Sequence, residues 1–321
     1  MSVPLHSLGP WELFPLGLGC MNVSWSGGAA TDSTRRKESA IAGIHAGLDA
    51  GVRFLDTADI YAPAWNQVGH NEIFVAEALA SWAAPAEVKD SVVIATKGGI
   101  TRSEGEKWGR NGSRDYLVAA AEASRERLGV EVLDLWQHHR LDPSLAFETQ
   151  CENVGHLKER GLVSQIGVSN YSAAQLRRAI EVLGGPAEGG VVSLQNEFSP
   201  FYRHDLDVLE VCEEWGIAFL PWSPLGGSQN VAGLGSDPSS GLARVATEKG
   251  VTPSALALAW LLSYSPVIIP IPGATRAESI RDCVSAVFLE LEPEEQEAIS
   301  ASLPVSAPRS DELEPTAPFV S

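Results

Sequence analysis

The sequence predicts one (β/α)8 TIM barrel domain across residues 1–321, and three observations carry that prediction. Eight short apolar segments recur along the chain, most of them separated by one helix-length stretch. Their near-continuous apolar character suits parallel strands buried on both faces. Three of them hand a titratable group to the point where the strand stops, at Asp56, at Lys97 and at His138-His139. That is the end at which a parallel barrel or sheet builds its site. Eight units favour closure, because an open doubly wound sheet usually has fewer strands.

Taken in order, residues 7–14, with Gly9-Pro10 inside, read as a hairpin capping the barrel bottom. Strands are predicted at 16–19, 52–56, 91–96, 132–137, 163–168, 191–195, 217–221 and 267–269. The first long helix, 34–50, carries Ile41, Ile44 and Leu48 at spacings of three and four, an inward stripe. Ser113 stands where the N-cap of a helix reaching Leu128 belongs. Gly51, Gly129, Gly161 and Gly216 each close a helical stretch, where a left-handed residue is wanted. Three segments after strands, 57–70, 98–112 and 222–241, read as long loops, the kind that carries function. The tail 304–321, rich in Pro, Ser and acid, reads as weakly ordered.

Composition bounds the function. With 44% hydrophobic residues the chain can bury a large core, so disorder is expected only at its ends. A net charge of −18 repels phosphates at long range, which argues against a nucleic acid or an anionic membrane as partner. A phosphate-bearing small molecule held by local dipoles stays open. Cys20, Cys151, Cys212 and Cys283 are scattered without CxxC spacing, so neither a metal site nor a disulfide framework is read. The N-terminus lacks a basic segment followed by an apolar one, so no signal peptide is read and the protein is expected to be cytoplasmic. Residues 251–275 carry no charge, but Pro266, Pro270 and Pro272 would break a membrane-spanning helix. A buried helix followed by a buried strand accounts for that stretch. The oligomeric state is not legible.

The chemistry concentrates in Asp56-Thr57-Ala58-Asp59-Ile60-Tyr61, where a strand ends in a carboxylate with a tyrosine five residues on. With Lys97 and the His138-His139 pair it makes the parts of a proton-transfer site. Each group has a bland alternative. A lysine at a strand end is often a solvated charge, Asp56 could cap a turn, Tyr61 could be packing, and one histidine could be a core residue. Their coincidence at three strand ends favours the functional reading. A phenol has an ordinary pKa of about 10, too high for efficient proton shuttling near neutrality. An ammonium beside it is expected to lower that value, and a carboxylate to keep the ammonium charged.

These residues lie in motifs that resemble the aldo-keto reductase family from about Leu8 to about Ser300. They are Leu16-Gly17-Leu18-Gly19-Cys20-Met21, Phe54-Leu55-Asp56-Thr57-Ala58-Asp59-Ile60-Tyr61, Thr96-Lys97-Gly98-Gly99, Asp134-Leu135-Trp136-Gln137-His138-His139-Arg140, Gly167-Val168-Ser169-Asn170, Gln195-Asn196-Glu197, Pro221-Trp222-Ser223-Pro224-Leu225-Gly226 and Ile271-Pro272-Gly273-Ala274. The resemblance implies a catalytic tetrad of Asp56, Tyr61, Lys97 and His139; His139 is chosen because the family's histidine precedes the Arg140 position. It implies reduction of a small-molecule aldehyde or ketone by hydride from a nicotinamide, with Tyr61 as acid and a neutral His139 orienting the carbonyl. It implies cofactor contacts from Gly19, Cys20, Met21, Asp56, Ser169, Asn170 and Gln195, with Trp222 stacked on the ring. Ser223 and Leu225 would approach the pyrophosphate, and Gly227, Gly273, Arg276 and Asp282 are further cofactor-binding candidates. No GxGxxG follows a strand, so a Rossmann-type site is not supported. At the adenosine end the chain departs from the pattern, with Asp282-Cys283 where many relatives have Glu-Asn. Arg276 could pair with a 2′-phosphate, so NADPH is expected over NADH. Trp25, Trp65, Trp108 and His138 are candidate substrate walls, suited to a cyclic or apolar carbonyl or a sugar ring.

Two other readings were open. A cofactor-binding regulatory subunit on the same fold would bind nicotinamide and turn over slowly, which the intact Tyr61, Lys97 and His139 argue against. A metal-dependent barrel hydrolase would carry His-x-His on the first strand, which this chain lacks.

Overall fold

Alternation along the apolar segments builds the barrel. The structure is a computed structural model and describes residues 3–24, 33–273 and 275–304. An antiparallel hairpin, β1 His6–Leu8 and β2 Trp11–Leu13, comes first. The barrel strands β3 Leu18–Gly19, β4 Phe54–Asp56 and β5 Val93–Gly98 follow. A second hairpin, β6 Ile100–Ser103 and β7 Lys107–Arg110, then precedes β8 Leu133–His138, β9 Val163–Ser169, β10 Val191–Gln195 and β11 Ala218–Phe219. The seven barrel strands pair in parallel in the order β3-β4-β5-β8-β9-β10-β11. The segment 98–112, expected as a loop, is therefore mostly the β6–β7 hairpin, whose turn holds Gly105 and Glu106 at positive φ.

The eighth strand closes the barrel without a regular ladder. Ile269 N–H donates to Phe219 O at 2.9 Å and Ile271 N–H to Pro221 O at 3.2 Å. On the other side Pro270 O and Pro272 O accept from Gly17 N–H at 2.9 Å and Gly19 N–H at 3.1 Å. Residues facing β3 should donate as well as accept, but proline has no N–H. Half of that seam's hydrogen bonds cannot form, so the expected strand survives as extended chain with a single parallel bridge, Phe219 to Ile268.

The helices are α1 Met21–Ser24, α2 Ser33–Asp49, α3 His70–Ser81, α4 Ala86–Lys89, α5 Arg114–Leu128, α6 Phe147–Glu159 and α7 Ala173–Leu183. They continue with α8 Leu206–Trp215, α9 Ser228–Val231, α10 Gly241–Lys249, α11 Pro253–Leu262, α12 Ala277–Ser285 and α13 Pro293–Ser302. The uncharged stretch is α11, buried from Ala255 to Leu261, running into the eighth strand. Ser113 takes the N-cap position of α5, though its hydroxyl makes no capping bond; at the other end Gly129, at φ 71°, returns its N–H to Arg125 O at 2.9 Å. Trp25 and residues 305–321, which include nearly all of the expected tail, lie outside the described residues.

Two apolar layers result. Phe54, Val93, Ala95, Leu135, Val192, Ala218, Leu220, Ile269 and Ile271 fill the barrel interior, and Leu8 and Leu13 of the N-terminal hairpin join them from below. Their neighbours along the same strands, such as Leu55, Ile94, Trp136 and Phe219, face the helices. Leu8 is fully buried in the plug. Leu8→Ala is expected to cost about 2–5 kcal/mol, read as a lower urea midpoint at unchanged slope.

Candidate active site

The alternation that fills the barrel also aims its polar groups. On β4 the interior positions are Phe54 and then Asp56; on β5 they are Val93, Ala95 and then Lys97. On β8, Leu135 faces in and Gln137 follows it at the mouth. Register brings Lys97 opposite Gln137 and Gln137 opposite Gly167. Gly167 leaves room there, because a Cβ would sit 2.2 Å from Ser193 Oγ and 2.9 Å from Gln137 Cγ. Ser169 and Gln195 are paired at the ends of β9 and β10. The apolar interior thus gives way to a polar layer at the carboxyl end of the strands.

Lys97 organises that layer. Its Nζ donates to Asp56 Oδ2 at 2.6 Å, to Thr57 O at 2.9 Å and, at a longer 3.4 Å, to Tyr61 Oη. Asp56 Oδ1 accepts from Gln195 Nε2 at 2.8 Å and Gln137 Nε2 at 3.2 Å. The ring of His139 stands edge-on to that of Tyr61, centroids 5.8 Å apart. Lys97 is 0% exposed, His139 2%, Asp56 3% and Tyr61 8%, so water screens these interactions little. The four expected tetrad residues lie together.

The electrostatics correct one expectation. Burial is the largest influence on Tyr61 and holds its phenol above the ordinary value; Lys97 opposes this but does not prevail. Burial also works against charge on Lys97, but Asp56 and Tyr61 outweigh it and keep the ammonium above its ordinary pKa. His139 is held well below the usual histidine range by burial first, then by Lys97, Arg140, His138 and Arg110. The site therefore holds a protonated phenol, an ammonium and a neutral imidazole near neutrality.

A shell not foreseen from the sequence supports this arrangement. Asn71 Oδ1 accepts from Thr57 Oγ1 at 2.6 Å, and its Nδ2 donates to Cys20 O at 2.9 Å and Ser24 Oγ at 2.8 Å. Asn71 N–H meets Tyr61 O at 3.1 Å, pinning the segment that carries the phenol. Glu72, fully buried, accepts from Thr96 Oγ1 and Arg127 Nε, each at 2.5 Å. Nearby Asp59 is buried with Oδ1 lacking a hydrogen-bond partner among the described residues. Burial first, then Glu72, pushes its pKa well up against the pull of Arg127. The signal for Asn71 was in the sequence: it shares the buried stripe of Phe74, Val75 and Ala78 on α3, where a polar residue needs a reason.

The cofactor candidates divide. Ser169 Oγ donates to Gln195 O at 2.8 Å, and Asn170, at φ 61°, donates through Nδ2 to Ser169 Oγ at 2.8 Å and His139 O at 3.2 Å. Gln195 spends its Nε2 on Asp56, while its Oε1 accepts no hydrogen bond among the described residues. An open amide acceptor beside the tetrad suits a carboxamide, which is the donor set a nicotinamide presents. Trp222 is half-buried against the barrel interior, and its backbone N–H donates to Asn196 O at 2.9 Å. Cys20 contributes backbone, donating to Asp56 O at 2.8 Å, and its buried thiol is pushed up to about 12. Gly19 and Gly273 lie where the loops after the first and last strands meet; a Cβ on Gly273 would fall 2.8 Å from Asn22 Nδ2. Ser223 at φ 46° and Gly227 at φ 79° shape the turn around half-buried Leu225. Arg276 is exposed at the N-cap of α12, whereas Asp282 is engaged by Thr252 Oγ1 at 2.7 Å.

The wall candidates divide too. Met21 and Trp108 pack in one cluster with Tyr61 and Ile100. Trp65 is 37% exposed, and its backbone N–H meets Glu106 Oε1 at 3.1 Å. His138 is not a wall. Gln137 faces the barrel, so the next residue faces the helices, where His138 is 0% exposed and pairs through Nδ1 with Tyr171 Oη at 2.8 Å. Among the described residues no group of three or more His, Cys, Asp or Glu is gathered as metal ligands, and no helix is long and apolar enough to cross a membrane.

Known proteins resemble this chain over most of its length. The sequence profile described as the Aldo/keto reductase family matches residues 15–303. A protein of Schizosaccharomyces pombe described as an uncharacterized oxidoreductase is 33% identical over 279 residues, 87% of this chain and 83% of its own. An aldo-keto reductase from Klebsiella pneumoniae, solved in complex with NADPH, superposes with a TM-score of 0.76 at 22% identity, covering 98% of this chain and 99% of that one. A Bombyx mori aldo-keto reductase solved in complex with NADP gives 0.72 at 23% identity, covering 94% and 93%.

Proposed function

This chain belongs to the aldo/keto reductase family, and from that premise we propose that it reduces an aldehyde or ketone to the alcohol with a nicotinamide cofactor, Tyr61 serving as the acid. The observation that carries this is Lys97 Nζ set between Asp56 Oδ2 at 2.6 Å and Tyr61 Oη at 3.4 Å, all buried at the barrel mouth. When bound, the reduced nicotinamide supplies the hydride that the carbonyl carbon receives, because none of these side chains is a two-electron donor. Ser169, Asn170 and Gln195 would hold its carboxamide and Trp222 its ring face. The NADPH and NADP in the K. pneumoniae and B. mori structures support such a site. Arg276 is the candidate partner for a 2′-phosphate, which would favour NADPH.

The chain's own residues divide the proton work. Neutral His139 donates a hydrogen bond to the carbonyl oxygen and orients it. Tyr61 passes its proton to that oxygen as negative charge develops there. Lys97 then faces the phenolate, the form it stabilises, while Asp56 keeps Lys97 charged and in place. The double bond becomes C–H and O–H, and the phenol regains its proton from solvent through the mouth.

The pH profile follows from these directions. Reduction needs the phenol protonated, and its pKa lies above the ordinary value of about 10. It needs His139 neutral, and that pKa lies well below about 6.5. The reduction kcat is expected to stay flat from about pH 6 to 9. A limb centred inside that window would reassign the acid. The function itself is tested by mixing purified protein with NADPH or NADH and a test aldehyde, and following loss of the reduced-nicotinamide absorbance. Cofactor binding without turnover across aldehydes and ketones would favour a regulatory subunit instead.

A further inference from the structure

The β6–β7 hairpin carries two arginines on the face that looks toward the phenol. Its register pairs Ile100 with Arg110 and Arg102 with Trp108, so these four share one face, with Thr101 and Gly109 on the other. Ile100 and Trp108 pack in the Tyr61 cluster, which fixes that face toward the mouth. Arg102 is committed: Nη1 donates to Ala62 O at 2.7 Å, Nε to Glu106 Oε2 at 2.5 Å, and its guanidinium lies over Trp108 at 4.8 Å.

Arg110 is not committed. It is half-buried, forms no ion pair among the described residues, and makes one long hydrogen bond, from Nη1 to Leu141 O at 3.5 Å. Leu141 is two residues from His139 in sequence. The opposite charge that acts on it, Asp142, already accepts from Gly112 N–H at 3.0 Å and from Ser144 N–H and Oγ at 2.9 and 2.6 Å. Burial depresses the basicity of Arg110 and Asp142 only partly restores it, the mark of a cation short of a counter-ion. A partly desolvated charge is costly until something pairs with it. In a chain of net charge −18, a cation left in this condition beside a reactive imidazole is not a general surface property.

We infer that Arg110 selects the substrate by pairing with its carboxylate, making the preferred substrate an anionic aldehyde or ketone. The inference rests on the reductase reading above. A guanidinium matches a carboxylate through two parallel hydrogen bonds, and Trp108 beside it offers an aromatic face to the intervening carbon skeleton. The charge of the substrate, not the reacting carbonyl, is what Arg110 reads.

The test compares kcat/KM for 4-carboxybenzaldehyde and 4-nitrobenzaldehyde, matched in ring and in position of substitution, in the parent, Arg110→Gln and Arg110→Lys. The parent is expected to favour the carboxylate. In Arg110→Gln the carboxylate-to-nitro ratio falls about tenfold to a hundredfold, mostly through KM, and Arg110→Lys keeps an intermediate ratio. The parent's preference also weakens with added salt. Turnover of both aldehydes with the same ratio in all three proteins overturns the assignment and leaves the reductase reading intact. Turnover of neither aldehyde by the parent overturns the reductase reading and this inference with it.

Discussion

Tyr61→Phe is expected to lower kcat for carbonyl reduction by about a hundred- to ten-thousand-fold, the range that one positioned acid contributes. The substitution removes a single oxygen from a ring that packs with Ala58, Ile60 and Ile100, so the apolar contacts stay. Its backbone hydrogen bond, accepted from Asn71 N–H, is also untouched. What goes is the proton donor 3.4 Å from Lys97 Nζ. His139 can still polarise the carbonyl, and a residual rate through that imidazole and water is expected. Quenching of Trp222 fluorescence by NADPH should persist, separating loss of chemistry from loss of binding. Full activity in the variant would remove Tyr61 from the mechanism.

Lys97→Met is the change at the site with the largest expected effect on stability. The methionine fits the volume, but Asp56, 3% exposed, is left with only the neutral amides of Gln137 and Gln195 as donors. Thr57 O loses its donor as well. Breaking a buried pair in this way costs about 3–5 kcal/mol, because the surviving charge is uncompensated. Adding Asp56→Asn should return part of that loss, since an amide needs no counter-charge. Urea unfolding of the two single variants and the double variant measures the coupling. Strict additivity, or a single variant as stable as the parent, would contradict the pairing described here. Activity should fall in every member of the set: without Lys97 no ammonium remains to stabilise the phenolate, and in Asp56→Asn the carboxylate that keeps that ammonium charged and in place is gone.

Much of this was legible in the chain. A strand buried on both faces announces itself by unbroken apolarity, and a titratable residue at its end announces the mouth of a barrel. Asp56, Lys97 and the histidine pair were readable for that reason, and Tyr61 by its fixed distance from Asp56. The hairpin at 100–110 was not, because Lys107, Gly109 and Arg110 break the apolar alternation that marks a strand. The last expected strand did not form a regular ladder, because Pro270 and Pro272 lack the N–H a ladder needs although they keep the carbonyls that close the seam. His138 and His139 were indistinguishable as types. One turns toward the helices and the other toward the mouth, and only the pleat of β8 separates them.

The amino-acid order alone determined which groups are present and on which strand ends they sit, since hydrophobic period and chain distance are local properties. The protonation of those groups had to wait for packing. A phenol expected to be acidified by its lysine neighbour is instead held protonated, because desolvation depends on every atom that excludes water from the oxygen. The same holds for Arg110, to which no sequence pattern pointed and which packing leaves half-buried beside a carboxylate already engaged elsewhere. Burial and partnership are sums over residues distant in the chain, and no local pattern encodes them.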